Sequence, residues 1–70
     1  MVVTGIFHLE AEDFVSHSRG AVSDEIFEEK IAQTETLVSM RARSLHQAML
    51  LRKLLWLAGA QNVEIDAQAA

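Results

Sequence analysis

His8, Glu10, Glu12 and Asp13 are the nearest thing to a metal-ligating set in this 70-residue sequence. Carboxylates with one histidine could hold a hard divalent ion weakly. Their spacing matches neither a zinc nor an EF-hand pattern, and a solvated acidic segment is the simpler reading. Ser16-His17-Ser18 places a base between two hydroxyls. Adjacent side chains of an extended segment point apart, and no acid stands at a defined spacing to orient the imidazole, so a polar loop explains it. Glu25 and Glu29, four positions apart, would share one helix face as a solvated, mutually repelling stripe. No catalytic residue, metal or cofactor is expected from these groups, and a non-enzymatic protein is the expectation.

The cations are a different matter, because Arg41, Arg43, His46, Arg52 and Lys53 are interleaved with Leu45, Met49 and Trp56. On a helix Arg41 and Arg52 would lie about three turns apart on roughly one face. Arginine among apolar and aromatic groups is the composition of a binding hot spot, and equally of a helix edge in a dimer. Arg41, Arg43, Met49, Arg52 and Trp56 are therefore the partner-contact residues that the sequence nominates. An anionic small molecule held between subunits by the same arginines is an alternative.

The element expected to position these residues is residues 23–58. Ser23 can cap a helix, Asp24, Glu25, Glu28 and Glu29 suit the positive end of its dipole, and Gly59 suits the left-handed position after Ala58. One unbroken helix from Asp24 to Ala58 would be about 52 Å long. A helical hairpin is the competing form, with a turn in residues 39–44 and Ser44 with Gln47 as a second capping box. Phe27, Ile31, Thr34 and Val38 form a single helical stripe, whereas residues 45–58 are apolar nearly all round the axis and must be buried on most faces. Self-association is the simplest way to bury them. Phe27, Ile31, Val38, Leu45, Leu51, Leu54 and Leu55 are the expected core of a homodimer, coiled-coil in character.

Composition bounds the rest. Half the residues are hydrophobic and there is no cysteine, so neither a disulfide framework nor a thiolate metal site can staple so small a domain. The apolar run is too short, and too broken by Arg52-Lys53, to cross a bilayer, which needs about 20 apolar residues. No basic, long-apolar leader is evident at the N-terminus, and a cytoplasmic location is the default. The formal charge of −4 makes general nucleic-acid binding unfavourable. That charge is unevenly spread: residues 1–35 carry eight carboxylates against Arg19 and Lys30, and residues 36–63 carry four cations and no acid.

Residues 1–9, rich in β-branched and aromatic side chains, read as a short strand whose two faces are both fairly apolar, so it needs cover or a partner. Val63-Glu64-Ile65 alternates and could supply one. Residues 10–22 read as a turn of helix and a loop, and residues 60–70 as a short extended tail. The resulting expectation is a single small, mainly α domain, with a short N-terminal strand followed by a long helix or helical hairpin, assembled as a homodimer. It would bind another protein and inhibit or chaperone it. A nucleic-acid-binding regulator using the basic half is the alternative.

Overall fold

A computed structural model describes residues 1–8 and 10–68, so the strand expected at Leu9 and the tail expected at Ala69 and Ala70 fall outside the described residues. The elements run β1 (Val2–Phe7), α1 (Glu12–Ser18), β2 (Ile26–Ala32), β3 (Glu35–Arg41), α2 (Leu45–Leu57) and β4 (Gln61–Asp66). They form one antiparallel sheet in the order β2-β3-β1-β4. Element order and strand order together are those of a split β-α-β arrangement.

This α+β fold corrects the expectation of a mainly helical, coiled-coil protein built on one long helix or helical hairpin. Its longest dimension is 32 Å, too short for the expected helix. The reason begins at β1. Val3, Gly5 and Phe7 are buried and Val2, Thr4 and Ile6 half-buried, so this strand needs a neighbour on each edge. β3 fills one edge from Val2↔Arg41 to Phe7↔Thr36, and β4 fills the other. Residues 26–41 therefore turn back on themselves at Gln33-Thr34, pairing Ile26 with Met40 and Lys30 with Thr36. The Phe27, Ile31, Thr34, Val38 stripe fits a helix, but Thr36, Val38 and Met40 alternating with Leu37, Ser39 and Arg41 fit a strand. Short apolar segments admit both periods, and pairing with β1 decides between them.

Ser23, expected to cap a helix, instead ties the start of β2 to the end of β3. Its hydroxyl donates to the Arg41 carbonyl oxygen (3.0 Å) and accepts from the Glu25 N–H (3.3 Å). The helix starts one strand pair later, at Ser44, whose Oγ accepts from the Gln47 N–H at 3.1 Å. It stops at Gly59, which has φ +98°. The Ala60 N–H bonds the Leu55 carbonyl and the Gly59 N–H bonds that of Trp56, a Schellman closure that satisfies two otherwise free carbonyls.

Both helices pack on the same face of the sheet. Ala48, Leu51 and Leu55 of α2 and Val15 of α1 join Val3, Phe7, Ile26, Val38 and Met40 in one core, with Phe14 tilted against Phe7 at 5.4 Å between ring centroids. α2 lies over β1 and β4. It comes close enough that a Cβ on Gly5 would stand 3.0 Å from the Ala60 Cβ and 3.5 Å from Leu55. Among the described residues no helix is long and apolar enough to cross a membrane.

Candidate functional site

α2 buries only the narrow stripe Ala48, Leu51 and Leu55 against the sheet, because a two-layer fold has no further layer to cover its other sides. Leu45, Met49, Leu50, Leu54, Trp56 and Leu57 are exposed, Trp56 by 71% and Leu57 by 68%. At about 100° per residue, His46, Lys53 and Leu57 stand opposite the buried stripe, with Met49 and Trp56 towards one flank. Arg52, Met49 and Trp56 line a groove that continues onto Gln61, Asn62 and Val63 of β4. On the other flank Leu50, Leu54 and Leu57 line a second apolar groove with Ala21 and Val22.

This surface is basic. α2 contains His46, Arg52 and Lys53 and no acid, and none of the three makes an ion pair or hydrogen bond among the described residues. Of the five nominated contact residues, the structure brings Met49, Arg52 and Trp56 together on α2. It sets Arg41 and Arg43 apart from them, at the end of β3 and in the loop after it. There Arg41 Nε is 2.9 Å from Glu25 Oε2 and Arg43 is 3.0 Å from Asp24 Oδ2, the latter pair largely in solvent. The residues nominated as a dimer core are likewise divided. Val38, Leu51 and Leu55 lie in the chain's own core, Leu45 and Leu54 on the outer surface of α2, and Phe27 and Ile31 are exposed on the edge strand β2.

The sheet face away from the helices is a surface that the sequence reading missed. Across it run Phe27, Ser39, Thr4 and Glu64 in one row, and Glu29, Leu37 and Ile6 in the next. None of these side chains is buried, and Phe27 is 63% exposed. Val2, Ile6, Leu37 and Phe27 make the centre apolar. Glu25, Glu29, Glu35, Glu64 and Asp66 rim it, with Arg41 on the same face held by Glu25. The signal was present in the two apolar faces of residues 2–8, but it locates a surface only once the neighbouring strands are known.

The groups weighed for chemistry stay apart. His8 Nε2 is 2.6 Å from Gln61 Oε1 and its Nδ1 is 3.7 Å from Glu35. His17 Nδ1 donates to the Asp13 carbonyl oxygen of its own helix at 2.7 Å. Among the described residues no three histidine or carboxylate side chains converge on a point where a metal ion could sit. No family model, curated protein or solved structure matches the chain.

Proposed function

We propose that this chain is a non-enzymatic protein-interaction module that docks on another protein surface through the outer face of α2 and modulates what it holds. The supporting observation is that six of the eight large hydrophobic side chains exposed among the described residues belong to that one helix. Burying each such side chain stabilises by roughly 1.5 to 3 kcal/mol, and contiguous exposed apolar surface marks interaction sites. The side chains that dominate interfaces are aromatic residues, methionine and arginine, and Trp56, Met49 and Arg52 stand side by side. With cations and no acid on the helix, the surface it accepts is apolar and carries carboxylates. Action in the cytoplasm belongs to the same reading, in keeping with a chain without cysteine. The nucleic-acid reading used Arg41 and Arg43 and the anionic-ligand reading those two with Arg52; Arg41 and Arg43 stand beside Glu25 and Asp24, away from α2, which weakens both.

A photo-crosslinking side chain placed at position 56, and in a control at the exposed Glu12, tests this in the cells that make the protein. Discrete protein adducts are expected from position 56 and are expected to fade when Arg52→Glu and Lys53→Glu are added. Equal labelling from both positions, or none from either, would remove α2 as a docking face.

A further inference from the structure

Resting on that reading of α2, we propose that its partner is a second copy of this chain: the basic, apolar outer face of α2 seats on the acid-rimmed open sheet face of the next molecule, head to tail. Among the described residues, every exposed large hydrophobic side chain lies on either α2 or β2, and Phe27 of β2 points to the open face. The two surfaces have matching centres and opposite rims. Met49, Trp56, Leu50 and Leu57 are accompanied by His46, Arg52 and Lys53, while Phe27, Ile6, Leu37 and Val2 are accompanied by Glu29, Glu64 and Asp66, and by Glu25 and Glu35, which stand against Arg41 and His8. Opposite potentials of this kind set orientation and speed encounter. An antiparallel sheet commonly leaves one face to water, and what sets this open face apart is its apolar centre, with Phe27 63% exposed.

The geometry also fixes the symmetry. α2 and the open face lie on opposite sides of the sheet, so one pair of molecules cannot make both contacts at once. The contact is heterologous, and it propagates to a chain or closes to a ring. A reciprocal α2-to-α2 dimer would instead set Arg52 and Lys53 against their own copies with no acid on either helix.

The test uses the full chain, its mass read by light scattering behind a sizing column over a dilution series, with the emission of Trp56, the single tryptophan, followed in the same samples. Mass is expected to rise with concentration and Trp56 emission to move to shorter wavelength as it is covered, both weakening with salt. Arg52→Glu/Lys53→Glu spoils the helix face, and Thr4→Glu/Phe27→Glu spoils the sheet face. Each variant alone should associate about tenfold or more weakly than the parent. An equal mixture should form a dimer and nothing larger, because only one intact α2 and one intact sheet face remain to meet. Should a variant not fold, amide exchange of the parent at high and low concentration serves instead, with protection gained on both α2 and the open-face strands.

Self-association surviving in the sheet variant but not in the helix variant would overturn the proposal in favour of α2 pairing with α2. A chain that stays monomeric at every concentration would overturn it as well. Adducts from position 56 to a different protein, with the chain monomeric, would leave the docking role standing and remove only the second copy. Absence of any adduct would remove both.

Discussion

Leu55 and Trp56 are neighbours of similar character with opposite employment. Leu55 is fully buried beneath α2 and Trp56 is 71% exposed above it. Leu55→Ala is expected to cost about 2 to 5 kcal/mol, the range for truncating a packed core side chain. Trp56→Ala should stay within about 0.5 kcal/mol of the parent, as surface changes do, while weakening docking. Denaturant midpoints at unchanged slope measure both. Gly5 gives a third value. Its added methyl in Gly5→Ala meets the Ala60 Cβ at 3.0 Å, with Leu55 and Val63 close behind, so overpacking should cost about 1 to 3 kcal/mol. A glycine in the middle of an apolar strand is a sign of close backbone approach, and here that approach is α2 and the residues following it.

Among the strands, β2 is the least supported. Ile26 is its one buried residue, and Glu28 and Lys30 are exposed on the helix side as Phe27 and Glu29 are on the other. It pairs with β3 on one edge only. Amide exchange should therefore be fastest along β2 and slowest along β1, which is bonded on both edges and covered by α2. Equal protection in the two strands would mean that β2 is covered in solution, as the head-to-tail contact requires at high concentration. α2, by contrast, is held at both ends. Ser44→Ala removes the cap on its first turn and should cost about 0.5 to 2 kcal/mol, read from the same midpoints. These two ends were legible in residues 44–47 and 58–59 because capping is local chemistry. The start expected at Ser23 has equally good local chemistry, and the tertiary pairing overrode it.

For the molecule as a whole, so small a core leaves modest stability, and in a domain of this size about 1 kcal/mol moves Tm by roughly 4 to 8 °C. Association that favours the folded chain makes Tm depend on concentration. Tm is expected to rise with concentration for the parent chain and to be flat for Arg52→Glu/Lys53→Glu, as scanning calorimetry over a concentration series would show. A flat parent would argue against any self-association through α2. The sequence by itself determined the strand character of residues 2–7, the end of α2 at Gly59 and the charge division, while the start at Ser44 was legible only as the competing hairpin form and the nominated contact set joined Arg41 and Arg43 to Met49, Arg52 and Trp56. Only the tertiary structure decided that residues 26–41 are a hairpin. The apolar spacing there suits both periods, and the choice rests on β1, some thirty residues away, whose unpaired edges cost more than the helix propensity of a few glutamates could offset. The open sheet face was decided the same way, since a surface shared by four strands exists only after they have paired.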